Sequence, residues 1–267
     1  MMHTSSYHSI RYSVDNQVAA IVLNRPDRLN ALNRSMLVEL GEAIRAAAAD
    51  KTVKAVLLSG EGRAFCAGQD LGERDPRKLD GPLDLGAIQR EIYHPIIAGM
   101  ASMEKPVVVA VNGIAAGAGS AIALGGDIVI AACSSRFIQS YVNVGLSVDA
   151  GGGWHLVKAL GPARARALLM TGGEISASEA QEAGLIWKCV ADEDLKTFSG
   201  EIAKRLAEGP ATALACIKKA VAAVSAATDY AHYIAVEADL QQKAGMSPDY
   251  GKNVLAFLEK KESRHRA

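Results

Sequence analysis

The 267-residue sequence predicts an α/β fold with parallel strands and an all-helical C-terminal part. Three observations predict this fold class. Short apolar runs alternate with helical patterns in the first half of the chain, glycine-rich turns follow two of those runs, and only helical spacing is found from about residue 192 onward. The length suits one sizeable core with a small appendage.

The first elements are a strand over residues 18–23, which stops at Asn24-Arg25-Pro26, and an amphipathic helix over residues 35–50. A second strand is predicted over residues 53–59, and the glycine-rich segment 60–70 follows it. A turn of this kind at the carboxyl end of a parallel strand is a frequent place for a ligand.

The central element covers residues 106–126 and reads as a buried strand, a turn and a helix that begins near Gly117. Its first helical turn holds only small residues, so unpaired N–H groups there favour an anion or a developing negative charge. Close packing of the helix on a sheet is the alternative, and this segment alone does not separate the two. Before it, residues 72–85 predict a mobile loop and residues 88–103 a helix kinked at Pro95.

Beyond the centre we expect a strand over residues 127–132, a loop over 137–153, short helices and a last strand over 185–190. Four helical segments are expected in the last part of the chain, over residues 192–207, 211–226, 228–244 and 248–260. This change of pattern predicts a core over residues 1–200 and a helical subdomain over residues 201–267.

Composition narrows the class of protein. Lys plus Arg equals Asp plus Glu at 29 each, so no global field favours nucleic acid or an anionic membrane. The N-terminal segment lacks the pattern of a signal or transit peptide, which predicts a cytoplasmic protein. The four cysteines have no metal-ligand spacing, so we expect reduced, structural thiols and no metal site.

Three motifs carry a resemblance that covers nearly the whole chain. They are Asn24-Arg25-Pro26 with Asn30-Ala31-Leu32-Asn33, then RAFCAGQDL at residues 63–71, then AVNGIAAGAGSAIALGGD at residues 110–127. Together they resemble the crotonase (enoyl-CoA hydratase/isomerase) superfamily. Within it, FCAGQDL, the 110–119 loop and GLSVDAGGGW at residues 145–154 are most similar to the branch that isomerises ring-1,2-epoxyphenylacetyl-CoA.

The resemblance implies a crotonase-type ββα spiral core with a C-terminal helical trimerisation region. It implies an acyl-CoA thioester as substrate, a homo-trimer or hexamer, and no cofactor beyond the coenzyme A of the substrate. The backbone N–H groups of Gln69 and Ala118 fall on the two oxyanion-hole positions, where preorganised donors stabilise an enolate. A nucleotide-phosphate loop is the competing use of these glycines, but Phe65 stands where its third glycine would be.

The resemblance also points to the acid/base residue. The two glutamates of the family's hydratases map onto Ala121 and Tyr141, which carry no carboxylate, whereas Asp149 falls where similar isomerases place a single acid. A helix N-cap is the alternative role for Asp149, because a helix is expected to begin just after it.

The expected activity is therefore isomerisation of an acyl-CoA through a thioester enolate. A different crotonase reaction, such as hydration or hydrolysis, and a non-catalytic acyl-CoA binding protein are the two alternatives. The resemblance assigns substrate or coenzyme A binding to a set of positions along the chain: Arg25, Arg28, Ala67, Gly68, Asp70, Gly117, Tyr141, Phe257 and Lys260.

Overall fold

The computed structural model describes the backbone of residues 7–265 and the side chains as far as residue 259. The strands are β1 (Ile10–Asp15), β2 (Val18–Leu23), β3 (Ala55–Gly60), β4 (Ala64–Cys66), β5 (Val107–Val111), β6 (Ile114–Ala116), β7 (Ile128–Ala132), β8 (Arg136–Ile138), β9 (Glu174–Ser176) and β10 (Lys188–Val190). The α-helices are α1 (Arg34–Ala49), α2 (Leu85–Ile88), α3 (His94–Ser102), α4 (Ala118–Leu124), α5 (Gly152–Thr171), α6 (Ala177–Glu182), α7 (Leu195–Ala207), α8 (Ala211–Val224), α9 (Tyr230–Gly245) and α10 (Pro248–His265).

The main sheet has six strands in the order β1-β2-β3-β5-β7-β10. Strands β1 and β2 form an antiparallel pair, and every other pair in this sheet is parallel. In the centre, Val109 lies between Leu58 and Val129, and all five residues of β5 are buried. A continuous apolar run is what a strand covered on both faces requires, so the strand predicted there is confirmed.

A second sheet has four short strands in the order β4-β6-β8-β9. Strands β4, β6 and β8 each follow a long strand of the main sheet after a tight turn, and helices come next in the chain. This repeat of two strands and a helix is the ββα spiral, so the expected fold class is confirmed. The sequence did not reveal these strands, since three residues are too few to show a period.

The helix before β5 is interrupted rather than merely bent. A π-helical turn over Gln89–Tyr93 separates α2 from α3, and the N–H of His94 donates to the carbonyl of Gln89 five residues earlier. Pro95 explains the interruption, because proline has no N–H and its ring clashes with the carbonyl four residues before it in a regular α-helix. A wider turn relieves that clash at the place where a kink was predicted.

The C-terminal helices divide into two groups. Helix α7 packs on the main sheet, whereas α8 and α9 pack against each other and α10 packs against α9. Residue 200, the predicted end of the core, lies within α7, and the division into core and oligomerisation subdomain stays a prediction. Apolar side chains on the last three helices remain exposed in the single chain: Ile217, Val221, Val224, Ile234, Leu255 and Phe257.

The structure corrects the expectation of four reduced cysteines. Cys133, directly after β7, and Cys189, the middle residue of the neighbouring strand β10, form a disulfide with Cα atoms 5.4 Å apart. The two residues are 56 positions apart, so no local pattern could reveal the pair. Cys66 and Cys216 are free and buried. None of the helices in the described part of the chain is long and apolar enough to cross a membrane, and the cytoplasmic location stays a prediction.

Strand β4 and helix α4 approach each other at backbone distance. A Cβ atom placed on Gly119 would lie 2.6 Å from the carbonyl oxygen of Cys66 and 2.7 Å from its Sγ. The Cys66 thiol fills this contact, and burial raises its pKa to about 12, so it is packing rather than a nucleophile. Glycine at position 119 is thus a condition for bringing the two loops together.

A largely buried ion pair connects α8 to the core. Lys218 Nζ lies 2.8 Å from Asp127 Oδ2 and also donates to the carbonyl of Met100 at 2.7 Å. The same carboxylate oxygen accepts a hydrogen bond from the N–H of Val107, at 2.8 Å. Asp127 therefore joins the starts of β5 and β7 to α8, which is a structural role.

We predict that Lys218→Met destabilises the protein by about 2–4 kcal/mol, because it leaves the Asp127 carboxylate largely buried without its cation. Lys219→Met is the matched control. Lys219 pairs with Glu104 at the surface, and loss of such a pair costs at most about 1 kcal/mol. Urea unfolding at one protein concentration measures both, and equal losses for the two variants would contradict the structural role of Lys218.

We also predict that Gly119→Ala destabilises the protein by about 1–3 kcal/mol, because the new methyl group would overlap the backbone of Cys66. Gly200→Ala in α7 is the control, since a Cβ there meets nothing within 4 Å and alanine favours the helix by up to about 1 kcal/mol. Both free energies of unfolding come from urea titrations. A stability of Gly119→Ala equal to that of the wild type would show that the contact is loose.

Candidate active site

The two glycine-rich loops meet where the sequence analysis placed them. Gly68 has φ +89°, and a Cβ atom on it would lie 2.7 Å from the carbonyl oxygen of Ala116. Leu32 holds the first loop from its other side, because its N–H donates to Gly68 O at 2.7 Å and its carbonyl accepts from Asp70 N at 3.0 Å. Residues 68–70 therefore lie between the segment at Leu32 and the start of α4.

Two backbone N–H groups remain available at this meeting point. Within residues 7–265, neither the N–H of Gln69 nor that of Ala118 donates to a protein acceptor. Ala118 is the first residue of α4, and its neighbour Gly117 donates instead to Ile138 O at 2.9 Å. An oxygen that gains negative charge near these donors would satisfy them, which is the arrangement of an oxyanion hole.

Asp149 brings a carboxylate to the same region. Its Oδ2 accepts a hydrogen bond from Gln89 Nε2 at 3.1 Å, and its Oδ1 is buried without a standard hydrogen bond. Helix α5 is capped by Gly151, and no side chain accepts its first N–H groups. The alternative role of Asp149 as a helix N-cap is therefore wrong, because its side chain is directed to other partners.

The surroundings of Asp149 set its acidity. Burial raises the pKa of the carboxyl above its ordinary value, and the Tyr141 hydroxyl, the Arg74 charge and the Gln89 amide each act to lower it. Burial is the larger effect. A carboxylate with a raised pKa is a better base, so this environment suits a group that takes up and returns a proton.

Tyr141 lies between Gly117 and the start of α5. Its Cε1 is 3.7 Å from a Cβ placed on Gly117, and its hydroxyl is 3.4 Å from one placed on Gly152. The side chain of Ala121 is 3.2 Å from that same Gly152 position. The two positions that carry glutamate in the family's hydratases thus face the site, and here they present a phenol and a methyl group. Burial raises the pKa of the Tyr141 hydroxyl, with the charge of Asp149 adding to it, so the phenol stays protonated.

The structure adds two residues that the sequence analysis missed, and both lie on the π-turn. Gln89 contacts Asp149, and the hydroxyl of Tyr93 donates to the side-chain carbonyl of Gln69. Tyr93 is fully buried, and burial raises the pKa of its hydroxyl, with the charge of Asp149 adding to it. The sequence offered no distinctive local signal for either residue, because Arg90, Glu91 and His94 are further polar side chains in the same segment.

A cavity of about 600 Å³ opens beside these groups, between residues 71–85 and residues 144–146. Its lining is mostly apolar and includes Leu71, Pro76, Leu79, Pro82, Leu83, Leu85, Val144 and Leu146. Arg74 is the charged residue among the described residues that line it. A smaller cavity of about 220 Å³ shares Arg74 and Leu83 with the first and reaches Gln69. The predicted loop over residues 72–85 thus contains two 3-10 turns and forms one wall of the site.

The other residues proposed to bind substrate or coenzyme A lie in the first loop, on the turn after β2 and on the C-terminal helices. Arg25 is in an ion pair with Asp70, at 3.0 Å, and Asp70 also caps the following turn by accepting from Gly72 N. Ala67 donates its N–H to Leu29 O at 2.9 Å in the first loop. Arg28 is exposed on the turn after β2.

Phe257 lies on α10, with 69% of its surface exposed. Lys260 belongs to the same helix, and its side chain lies outside the described residues. These two positions are therefore on the C-terminal helices and not in the loops that form the site. Within the described part of the chain, no three His, Cys, Asp or Glu residues come together to hold a metal ion.

Known proteins are similar to this chain over nearly its full length. The family described as enoyl-CoA hydratase/isomerase matches residues 13–266. A 1,2-epoxyphenylacetyl-CoA isomerase of Escherichia coli (strain K12) is 42% identical over 248 residues, which cover 93% of this chain and 94% of that protein. A probable enoyl-CoA hydratase of Rhodobacter capsulatus is 43% identical over 256 residues, which cover 96% and 97% of the two chains.

Solved structures share the fold. A putative enoyl-CoA hydratase/isomerase from Mycobacterium abscessus superposes with a TM-score of 0.89 at 37% identity, over 94% of this chain and 96% of that one. The family match, the relatives and the shared fold all cover nearly the full length. The chain therefore belongs to the enoyl-CoA hydratase/isomerase family, the crotonase superfamily of acyl-CoA hydratases and isomerases.

Proposed function

We propose that the protein is a CoA-thioester isomerase that works through an enolate. The observation that carries the proposal is one buried carboxylate, Asp149, in the same part of the fold as two unpaired backbone donors at Gln69 and Ala118. The positions that hold two glutamates in the family's hydratases carry Ala121 and Tyr141. One carboxylate and an oxyanion hole suffice to move a proton, whereas adding water across a double bond calls for a base and an acid.

The proposed reaction is a proton shuttle. Asp149 takes a proton from C2 of a 3-enoyl thioester, and the electron pair moves onto the thioester oxygen as an enolate. The N–H groups of Gln69 and Ala118 hold that oxygen, and each such donor contributes about 3–4 kcal/mol to the transition state. Asp149 then returns the proton to C4, and the double bond moves to C2=C3. Only a proton changes place, so the reaction calls for no metal or redox cofactor.

A ring-epoxide thioester, 2-(1,2-epoxy-1,2-dihydrophenyl)acetyl-CoA, is the second substrate that we propose for the same site. The name of the Escherichia coli relative supports it, and the 600 Å³ apolar cavity has room for a ring. Polarisation of the thioester by the two N–H donors assists ring opening without a large change at Asp149. Ring-epoxide turnover should therefore depend on Asp149 less than linear enoyl turnover does.

Hydration is the second candidate activity, because the Rhodobacter capsulatus relative is named a probable enoyl-CoA hydratase. A panel of 3-enoyl-CoA, 2-enoyl-CoA and epoxyphenylacetyl-CoA in heavy-oxygen water separates the reactions by product mass. An isomerase incorporates no solvent oxygen, whereas a hydratase does. A non-catalytic binding protein would bind the thioesters and exchange no C2 proton with deuterated water.

We further propose that the protein forms homo-trimers or hexamers through its last three helices. The exposed apolar side chains of α8, α9 and α10 support this, because a stable monomer rarely leaves so many of them in water. In such an assembly Phe257 and Lys260 would reach the acyl-CoA bound by a neighbouring chain. Substrate coenzyme A would then be held by residues from two chains.

We predict that Asp149→Asn lowers 3-enoyl-CoA turnover by about a hundredfold to ten-thousandfold and leaves binding of the thioester largely intact, because an amide cannot accept the proton. Wild-type activity should fall as the pH decreases through the raised pKa of Asp149, since the carboxylate is the active form. Rates over a pH series and circular dichroism of both proteins test this. Equal turnover by the two folded proteins would remove Asp149 from catalysis.

We predict that Arg28→Ala and Lys260→Ala each weaken binding of a CoA thioester by about fivefold at low salt, the effect of losing one exposed ion pair with a phosphate. The loss should shrink as salt rises. Lys252→Ala on the same helix as Lys260 is the control and should bind as the wild type does. A dissociation constant for Lys260→Ala that equals the wild-type value at every salt concentration would contradict the contact.

A further inference from the structure

Gln89 makes two hydrogen bonds to adjacent residues of the segment that carries the acid. Its Nε2 donates to Asp149 Oδ2 at 3.1 Å, and its Oε1 accepts from the backbone N–H of Ala150 at 3.3 Å. The amide therefore spans one side chain and one main-chain group with its two ends. Nothing in the crotonase motifs of this sequence points to residue 89.

Chemistry allows only one orientation of this amide. A backbone N–H can only donate, and an ionised carboxylate can only accept, so Oε1 must face Ala150 and Nε2 must face Asp149. With Oδ2 bound in this way, Oδ1 is the oxygen of Asp149 that has no standard partner. The contact with Gln89 thus orients the carboxylate through Oδ2, and the Tyr141 hydroxyl interacts with the same carboxyl group.

The segment that Gln89 holds has an unusual backbone. Ala150 has φ +46° and Gly151 has φ +79°, both in the left-handed region. For alanine this conformation is unfavourable, so surrounding contacts must maintain it. The hydrogen bond from Ala150 N to Gln89 is such a contact, and Ala150 itself is buried.

Gln89 is the first residue of the π-turn. The same turn carries Tyr93, whose hydroxyl donates to the side chain of Gln69. One short segment therefore contacts both the residue that supplies an oxyanion donor and the residue that supplies the acid. Such turns inside helices are frequent at functional sites.

We propose that Gln89 is a positioning residue that holds the Asp149 carboxylate with Oδ1 directed at the substrate. This inference rests on the proposed isomerase function. Gln89 need not touch the substrate, since it acts through the carboxylate and through the backbone at Ala150. The substrate is the same acyl-CoA thioester, and Gln89 contributes to the rate of proton transfer rather than to substrate binding.

Besides Asp149 itself, three titratable side chains influence the pH dependence of the rate. Tyr141 from the 3-10 turn after β8, Tyr93 from the π-turn and Arg74 from the loop before α2 all interact electrostatically with Asp149. They are unchanged in a Gln89 variant. A shift of the pH profile in that variant therefore reports the lost or altered amide contact.

The test compares Gln89→Met, which removes both hydrogen bonds at similar size, with Gln89→Glu, which keeps an acceptor for Ala150 and places a second carboxylate beside Asp149. Gln181→Met is the matched control, because Gln181 also accepts from a backbone N–H, that of Cys189, in a part of the chain outside the site. The readouts are kcat and KM on a 3-enoyl-CoA over a pH series, with the midpoint of thermal unfolding.

We expect Gln89→Met to lower kcat by about tenfold to a hundredfold, as for a misplaced catalytic group, and to change KM by less than about threefold. Its acidic limb should move to higher pH, because the amide stabilises the ionised carboxylate. Gln89→Glu should move that limb further, by at least about one pH unit, since two carboxylates in contact cannot both ionise easily. Gln181→Met should match the wild type in both respects.

A lower unfolding midpoint with unchanged kcat and pH profile in both Gln89 variants would overturn the inference and leave Gln89 a structural residue. Gln89→Glu keeps the backbone contact, so the comparison stands even if Gln89→Met folds poorly. An inactive wild type, or an active Asp149→Asn, would instead overturn the proposed function. An active wild type, an inactive Asp149→Asn and normal Gln89 variants would overturn this inference alone.

Discussion

The site depends on the close approach of two backbone segments. Gly119 meets Cys66, and Gly68 meets Ala116, at distances that leave no room for a side chain. Because main-chain groups supply the donors, their positions are fixed by the packing of β4 and β6 against α4 and not by any rotamer. The short strands of the second sheet hold that contact. The long strands β3 and β5, which precede β4 and β6, bring both loops to the same edge of the main sheet.

The proposed site combines charged and neutral polar groups. Asp149 is its proposed acid, Tyr93 and Tyr141 are protonated phenols, and Arg74 supplies a positive charge at the cavity wall. Burial of Asp149, Tyr93 and Tyr141 strengthens the interactions among them, because the effective dielectric constant is lower in a protein interior than in water. In the proposed mechanism proton transfer depends on the orientation of one carboxylate, so loss of its hydrogen-bond partner is expected to lower the rate.

Different features of the sequence predicted the fold class and the candidate site residues. The apolar run of β5 identified the central strand directly, whereas Gln69, Ala118 and Asp149 came from motif resemblance, and their functional roles stay predictions. Local patterns could not reveal contacts between distant segments. Gln89 reaches Asp149 across 60 residues, and Cys133 reaches Cys189 across 56, so neither pair leaves a periodic signal. The strands of the second sheet were too short to show alternation.

The π-turn also fixes the rotational phase between two helices. Each residue of an α-helix turns the chain by about 100°, so one extra residue sets the faces of α2 and α3 out of step by that angle. Deleting a single residue between Gln89 and Tyr93 would remove this extra rotation. The side chain of Gln89 would then lie about a quarter turn away from Asp149. A local irregularity of the helix thus sets the position of Gln89 relative to Asp149.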